Sequence, residues 1–442
     1  MFVKNDYSVN LDDVVKHDRQ AGEPPPCGLE GIIMGTEIIP RDTPRVAAWR
    51  TILAGLSASL IGIGLARFAY TPLIPPLIQA HWFSASDVIS LGAANLAGYL
   101  VGALLGRPLG RRIGNAHALR AMMVAVTAAF LACAFPVSVG WFFAWRFISG
   151  VAGGTIMVLV AATLLPHVPQ ARRGLTSGAI FLGLGLGIAG SGTVVPLLLE
   201  IGLRATWMGL AAISAGFTAI SWFAWPRAAG DSLAPAVALD APSRAPAHAM
   251  VVLYAQYALM AVGLVPAMVF LVDFVARGLH EGTHVGSLFW VLYGVGAILG
   301  PPHYGLLGDW LGARAAVRVV LAVQAVAVAG LHALHTPAVL GVVAVVVGTF
   351  PPGIVPIVLA RVHELEPHSV ARQNKVWSRA TTVFAAAQAI AGYGYSALFS
   401  ASHGDHRLLF LIAAIGIVMS LAIDFVVIAE RAHERDALRA SA

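Results

Sequence analysis

Apolar runs long enough to cross a lipid bilayer account for most of this chain. A bilayer core of about 30 Å requires about 20 apolar residues per helix. Twelve runs meet this requirement, at about residues 51–78, 88–106, 119–139, 141–164, 175–199, 206–225, 250–276, 285–307, 315–334, 337–360, 377–400 and 407–429. The composition agrees, because 58% of the 442 residues are hydrophobic and only 11% are charged, whereas soluble domains carry about 45–50% and about 25%. The sequence therefore predicts an all-α polytopic membrane protein with twelve transmembrane helices.

The distribution of Lys and Arg orients these helices. With the N-terminus in the cytoplasm, 23 of the 28 basic residues fall in tails and loops on that side, three fall on the opposite side and two lie within spans. The positive-inside rule therefore predicts a multi-pass protein of the cytoplasmic (inner) membrane with both termini cytoplasmic. Because this asymmetry accounts for the net charge of +6, no nucleic-acid partner is expected.

The segments around the apolar runs predict the domain organisation. Residues 1–45 mix acids, bases and prolines without an apolar core and are expected to be a disordered cytoplasmic tail, with a second tail at 430–442. Residues 227–249 are rich in Pro, Ala and small polar residues, a composition typical of linkers. This linker would separate two six-helix bundles, at 46–226 and 250–429.

An internal repeat supports the division into two bundles. The stretch GALLGRP at 102–108 recurs as GAILGPP at 296–302, and the same offset of 194 residues maps Pro72 onto Pro266. Parallel six-helix repeats characterise one large class of secondary transporters, in which two halves rock around a central site.

Two motifs resemble signatures of the major facilitator superfamily (MFS). GLLGDWLGAR at 305–314 resembles its cytoplasmic-loop signature G-x-L-x-D-x-x-G-x-R, and RFISGVAGG at 146–154 resembles the R-x-x-x-G-x-x-G-G signature of its fourth helix. The stretches RFAYTPLIPPL and NLAGYLVGALLG resemble the bacterial YbfB/YjiJ-type branch. The resemblance implies two pseudo-symmetric six-helix bundles, the major facilitator fold, around a cavity that opens alternately to the two sides of the membrane.

The two signatures also supply candidate gating residues. These are Arg146, Gly305, Asp309, Gly312 and Arg314. Asp309 could latch the cytoplasmic side by pairing with Arg172 or Arg173 in the equivalent loop of the other half. For Arg146, a clamp between helices is the alternative role.

A permanent charge inside span one gives the first candidate for a substrate site. A charged side chain near the centre of a span costs about 2.5–3.5 kcal/mol on insertion scales, and such residues usually face a wet cavity or a partner. The offset of 194 maps Arg67 onto Ala261, and spans one to four hold Arg67 and Arg146 without an acid. This arrangement favours an anionic or carboxylate-bearing solute. Snorkelling to the membrane surface and a structural ion pair are the alternatives.

Polar and amphipathic side chains in other spans could line a pocket with mostly apolar walls. Each has an alternative role in bonds between helices or in anchoring at the membrane interface. The candidate substrate-binding residues are Arg67, Tyr70, Asn95, Tyr99, Gln256, Tyr257, Trp290, Tyr293 and Gln388. Among the charged residues, Asp273 and Arg277 predict a helix-end ion pair, while Asp424 is either a protonation site or the buried partner of another residue. Proline clusters in spans one and ten predict kinked or unwound turns.

Two enzyme motifs occur in contexts that do not suit them. HEGTH at 280–284 matches the zinc pattern H-E-x-x-H, but nearby glycines disfavour the helix that this pattern needs. GLGIAG at 185–190 matches G-x-G-x-x-G, but it lies inside an apolar span rather than between a strand and a helix. No metal, cofactor or catalytic residue is therefore expected.

The sequence as a whole predicts a secondary active transporter that moves a small organic solute by rocking two bundles around a midplane site. Whether the solute is anionic and whether transport is proton-coupled stay open at this point. A polytopic membrane enzyme and a non-transporting membrane sensor are the alternatives. We expect a monomer whose partners are the small-molecule solute, the lipid bilayer and, in the coupled case, protons.

Overall fold

Helices account for all the regular structure in the computed structural model, which describes residues 44–164, 173–225, 247–367 and 369–440. Within these ranges no strand occurs. The spans are α1 Ile52–Gln79, α2 Ala85–Ile113, α3 Asn115–Cys133, α4 Val139–Leu164, α5 Arg173–Leu199, α6 Leu203–Ser221, α7 Ala247–Asp273, α8 Gly282–Leu311, α9 Ala313–Ala333, α10 Pro337–Leu365, α11 Val370–Ala401 and α12 His406–Ala440. The predicted all-α fold with twelve helices is confirmed.

Eleven of these helices are long and apolar enough to cross a membrane, judged by length and composition over the described residues. The exception is α11, whose 32 residues give a length of about 48 Å at 1.5 Å per residue. That length also suffices for a bilayer. It is less apolar than the other spans because its first half carries Arg372, Lys375 and Arg379, and its second half carries Gln388 and Tyr393 together with serines. This helix packs on α2 of the N-terminal half and on α7 of its own half.

The repeat in the sequence appears in the packing of α2 on α4 and of α8 on α10. A Cβ atom placed on Gly102 would lie 2.1 Å from the carbonyl oxygen of Val151, and one on Gly296 would lie 1.9 Å from that of Val345. The second pair is the first displaced by 194 residues. Only glycine permits backbones to approach so closely. The repeated stretch therefore sets the same helix pair in each half, and the two pseudo-symmetric bundles are confirmed.

The two halves meet chiefly along α2–α11 and α5–α8. A shift of six helices converts the first pair into the second, as a pseudo-two-fold relation requires. At the α5–α8 contact, a Cβ atom on Gly294 would lie 2.4 Å from the Cα of Ala189. At the α2–α11 contact, one on Gly392 would lie 2.6 Å from the Cδ1 of Leu96. At both contacts, a glycine lets the facing helix approach closely.

Proline interrupts the helix in spans α1 and α10. Before its end, α1 passes through a π-helical turn at Leu60–Leu65, a short α-helical turn at Ala66–Phe68 and a 3-10 turn at Thr71–Leu73. Pro72 lies in the 3-10 turn and has no N–H to donate to the helix. In α10 the break falls at Thr349, directly before the piece Phe350–Leu365 with prolines in its first turn. The predicted kinks in spans one and ten are confirmed.

The ends of the predicted domains fall partly outside the described residues. Residues 1–43 of the predicted tail and residues 227–246 of the predicted linker lie outside the described residues. Both segments therefore stay predictions. At the C-terminus, α12 continues to Ala440, and the residues predicted as a tail from 430 instead extend the last helix. Their Ala, Glu and Arg residues have high helix propensity.

Candidate substrate site

Arg67 lies in the short turn of α1 between the π-helical turn and the break. The side chain as a whole is partly accessible, while its Nε and Nη2 atoms are buried and have no hydrogen-bond partner. Among the described residues, no carboxylate pairs with Arg67. The structural ion pair considered above is therefore not found there, and Arg67 presents an unused hydrogen-bonding edge to the interior.

Aromatic side chains from both halves surround this guanidinium. Its Cζ lies 5.1 Å from the ring centre of Tyr99 and 5.6 Å from that of Phe68. The ring of Phe68 lies 6.1 Å from that of Trp290 on α8. Trp290 in turn stacks on Tyr293 at 4.8 Å, with ring planes 6° apart. Aromatic faces attract a cation, so the rings provide part of the stabilisation that a carboxylate would give.

Trp290 and Tyr293 of α8 differ in how their polar groups are bonded. The indole N–H of Trp290 donates to Ser191 Oγ of α5 at 2.9 Å, which fixes the ring across the contact between the halves. Next to it, Tyr293 interacts electrostatically with Arg67, and its buried hydroxyl has no hydrogen-bond partner. A buried hydroxyl without a partner costs about 1–3 kcal/mol. Tyr293 is thus a second group at this centre whose hydrogen bond is missing.

Tyr99 and Tyr293 are equivalent positions of the two repeats, since they are separated by 194 residues. Their backbones pack alike: a Cβ atom on Gly154 would lie 2.1 Å from the Tyr99 carbonyl oxygen, and one on Gly348 would lie 2.0 Å from that of Tyr293. Both tyrosines interact electrostatically with Arg67. A symmetric pair of phenol rings therefore flanks a charge that only the N-terminal half carries.

Gln388 and Tyr257 extend this centre, which consists of Arg67, Phe68, Tyr99, Trp290 and Tyr293, within the C-terminal half. Gln388 lies on α11 one turn from Ala385, which packs against Tyr99, and it is buried with no partner for its Oε1 atom. The ring centre of Tyr257 on α7 lies 4.4 Å from that of Phe384, with the planes tilted by 35°, and Phe384 lies one turn before Gln388. Of the eight other predicted residues, the structure therefore brings Tyr99, Trp290 and Tyr293 close to Arg67. Gln388 and Tyr257 lie further out, each reached through a neighbouring residue of α11.

Three other predicted residues use their polar atoms in bonds between helices. The Tyr70 hydroxyl donates to the Val88 carbonyl oxygen at 2.7 Å, and Asn95 Nδ2 donates to Ser149 Oγ at 2.9 Å. The third, Gln256, donates from Nε2 to the backbone carbonyl oxygen of Ser420 at 3.1 Å. The backbone carbonyl oxygen of Gln256 accepts from the Ser420 hydroxyl, also at 3.1 Å. These contacts favour the alternative role considered for each, bonding between helices.

Arg146 is a clamp on the broken part of α1. Its Nη1 donates to the Ala66 carbonyl oxygen at 2.8 Å, and its Cζ lies 4.2 Å from the ring centre of Tyr70. The side chain is buried. Because Ala66 directly precedes Arg67, this clamp holds the turn that positions the charge. The contact favours the clamping alternative over a gating role for Arg146.

The sequence interpretation missed three residues of this centre, Phe68, Ser191 and Phe384. Phe68 follows Arg67 directly, so its proximity was a readable signal. Ser191 is a polar residue in the glycine-rich fifth span, which could have indicated a bond to a facing helix. Phe384 carries no signal that separates it from a lipid-facing residue.

The sequence matches the family model described as an uncharacterised MFS-type transporter, YbfB, over residues 59–425. The chain belongs to this MFS family. The predicted resemblance is thereby confirmed, and this protein is a multi-pass membrane protein of a transporter family. No curated protein matches the chain.

The loop signature of this MFS protein joins α8 to α9. Gly312 ends α8 with φ +77°, a conformation that favours glycine, whereas a Cβ atom on Gly305 would meet nothing within 4 Å. The N–H of Ala313 donates to Glu364 Oε1 at 2.8 Å, which satisfies the start of α9. Arg314 pairs with Asp424 of α12 at 3.1 Å. The signature thus ties α8, α9, α10 and α12 together inside the C-terminal half.

The predicted latch at Asp309 stays a prediction. Asp309 is exposed and has no hydrogen bond or ion pair among the described residues. Arg172 lies outside those residues, as does the Arg173 side chain. Between the repeat stretch and the end of the helix, α8 is four residues longer than α2, about one turn, and Asp309 lies on this additional turn.

The two other acids considered in the sequence, Asp273 and Asp424, pair within the C-terminal half. Asp273 pairs with Arg277 as predicted, and its Oδ2 also lies 2.7 Å from His406 Nε2. Asp424 has the buried partnership that was one of its two predicted roles, since Arg318 joins Arg314 there at 2.5 Å. Of the two enzyme-like motifs, GLGIAG at 185–190 lies inside α5, and the first two residues of HEGTH precede α8.

Proposed function

We propose that this MFS protein is a secondary active transporter of a small organic anion, and that Arg67 binds the anionic group. The single observation that carries the proposal is the buried Nε and Nη2 edge of Arg67, which has no partner in the described chain. A guanidinium offers parallel N–H donors that match a carboxylate. An anion bound there would supply the missing counter-charge in a medium of low dielectric.

The location of the centre supports alternating access. Arg67 and Tyr99 belong to the N-terminal half, whereas Tyr293 and Gln388 belong to the C-terminal half. Rocking of the two halves would therefore open the site to one side of the membrane and then to the other. The broken helix α1, which presents Arg67, supplies irregular backbone of the kind found where a helix lines a cavity.

Contacts between the halves support one of the two states. Ser86 Oγ lies 3.1 Å from Ser400 Oγ, and the Thr71 hydroxyl donates to the Met268 carbonyl oxygen at 2.8 Å. Both bonds lie toward the membrane side opposite the termini. With the termini in the cytoplasm of the proposed inner-membrane orientation, this arrangement corresponds to a transporter closed on the outer side.

Transport by purified protein in proteoliposomes tests the proposal. Organic anions and their neutral isosteres are supplied with and without a pH gradient, so that proton coupling is measured in the same experiment. We expect Arg67→Gln to lower anion transport at least about 100-fold, because two charge-assisted hydrogen bonds of about 1.5–3 kcal/mol each are lost.

The matched control is Arg204→Gln. Arg204 is an exposed arginine whose Cζ lies 5.3 Å from the ring centre of Phe135, away from the centre. This variant should transport as the wild type does. Wild-type transport by a correctly folded Arg67→Gln variant would overturn the proposal.

A further inference from the structure

We infer that the substrate is an aromatic monocarboxylate without an ammonium group. This inference rests on the proposed function and specifies the chemistry of the same site. It depends on three features of the described residues: the shape of the free edge of Arg67, the balance of charge around it, and the kind of side chain that encloses it.

The free edge of Arg67 selects a carboxylate. The Nε–H bond and one N–H bond of Nη2 point in the same direction on a planar guanidinium, and together they form one of its two-donor edges. Both of these atoms are buried and unpartnered. A carboxylate accepts two such parallel bonds with its two oxygens. The unpartnered hydroxyl of Tyr293 is a third donor near this charge.

The charges around Arg67 favour a substrate with a single negative group. Arg146, the other buried arginine of the N-terminal half, already donates to Ala66 and lies over the ring of Tyr70. Its Nη1 holds α1 at the residue before Arg67, and only its buried Nε is left without a partner. Arg146 thus offers one donor and not a second two-donor edge, and a dicarboxylate would have to bury its second charge with this incomplete partner, which is strongly unfavourable.

The same balance excludes an ammonium group. Among the described residues, the buried acids are Asp273, Glu366 and Asp424, and each pairs with basic side chains of the C-terminal half. An α-amino acid would bring an ammonium group close to Arg67 with no carboxylate to receive it. Like charges at short range repel strongly where water is excluded.

The side chains around Arg67 select a flat ring. Trp290 and Tyr293 form a stacked pair, and the rings of Tyr257 and Phe384 form a tilted pair with centres 4.4 Å apart. Phe68 and Tyr99 lie over the guanidinium itself. Aromatic pairs contribute beyond the area that they bury and prefer offset or edge-on geometry. The amide of Gln388, which has no hydrogen bond from the described chain, could bond a polar substituent on such a ring.

A series of five compounds tests this inference by binding. The unfolding temperature of the full-length protein in detergent is titrated with each compound, because a ligand that binds the native state raises it. We expect benzoate to bind, and benzamide, terephthalate and phenylalanine each to bind at least about 30-fold more weakly. Cyclohexanecarboxylate should bind about 3–10-fold more weakly than benzoate. Binding of cyclohexanecarboxylate, terephthalate or phenylalanine as tight as that of benzoate would overturn the inference.

A pair of tyrosine variants tests the position of the carboxylate. Tyr293→Phe removes a buried hydroxyl that has no partner, and so does Tyr395→Phe on α11, where the tyrosine is not among the groups that interact with Arg67. We expect benzoate to bind about 5–10-fold more weakly to Tyr293→Phe and unchanged to Tyr395→Phe. Equal binding by the two variants would contradict the assigned place of the carboxylate.

A transport arm separates failure of this inference from failure of the proposed function. If hexanoate is transported in an Arg67-dependent manner and benzoate is not, the aromatic inference is wrong and the organic-anion transporter stands. If transport of neither anion depends on Arg67, the proposed function is itself wrong and the inference falls with it.

Discussion

The two halves of this MFS protein treat buried charge in opposite ways. In the N-terminal half, Arg67 and Arg146 lie inside the membrane-spanning bundle, and neither pairs with a carboxylate among the described residues. In the C-terminal half, Asp273 is fully buried but pairs with Arg277 and His406. Asp424 likewise pairs with Arg314 and Arg318. The repeat has preserved the helix packing while the charges have diverged.

This difference indicates a division of labour. A buried charge with a partner in its own half is complete, and removing either partner is destabilising because the other is left alone. An unpaired buried cation already carries that cost in the free protein. The C-terminal half is therefore a self-contained scaffold, whereas the N-terminal half supplies a charge that a ligand can complete.

The largest expected effect comes from separating charge from shape at Arg67. Arg67→Lys keeps a positive charge but lacks the two-donor edge, so we expect transport to fall at least about 10-fold, against at least about 100-fold for Arg67→Gln. Neither variant should lower the thermal unfolding temperature appreciably, because no hydrogen bond or ion pair of Nε or Nη2 is lost and only the contacts with the rings of Phe68 and Tyr99 change. Wild-type transport by Arg67→Lys would show that the charge alone matters.

The next largest effect is expected in the C-terminal half. Asp273→Asn leaves Arg277 and His406 without their carboxylate, and we expect the free energy of unfolding to fall by about 3 kcal/mol. Thermal unfolding in detergent measures it, and Asp309→Asn is the control because Asp309 is exposed and unpaired. A fall no larger than that of the control would remove the contrast between the halves.

Substitution of Arg146 is expected to have an intermediate effect on stability, which distinguishes the roles of the two buried arginines of the N-terminal half. Arg146→Gln should lower the free energy of unfolding by about 1–2 kcal/mol, since the Ala66 carbonyl oxygen loses a bond to a charged donor. Transport should fall as well, because the turn that presents Arg67 is no longer held. If unfolding is unchanged while transport falls, Arg146 acts on the substrate directly and the clamp is wrong.

Much of the fold was predictable because it depends on one-dimensional properties. Run length fixed the number of helices, and Pro72 marked the break in α1. The offset of 194 also pairs Tyr99 with Tyr293, so the symmetric pair was accessible from the sequence. Arg67 stood out because a charge in a span is costly wherever it lies.

The rest depends on how each helix is rotated about its axis, which sequence spacing does not give. Asn95 and Tyr99 lie one turn apart on α2, yet Asn95 bonds Ser149 of α4 while Tyr99 lies over Arg67. Gln256 and Tyr257 are neighbours, yet the first bonds to α12 and the second packs its ring against Phe384 of α11. The partners of such residues are decided by tertiary packing.

The smallest expected effect on stability is at Asp309. Removing its charge should change the free energy of unfolding by less than about 0.5 kcal/mol, because surface changes without partners rarely exceed that. If Asp309 closes the cytoplasmic side in the opposite state, Asp309→Asn should nevertheless shift the protein toward the proposed state that is closed on the outer side. Labelling of single cysteines on the two faces measures that shift, with Asp405→Asn, on the opposite side, as the control. Unchanged labelling would contradict the latch hypothesis, because Asp309 would then contribute to neither stability nor gating. The contrast between the halves would in that case be a property of their interiors alone.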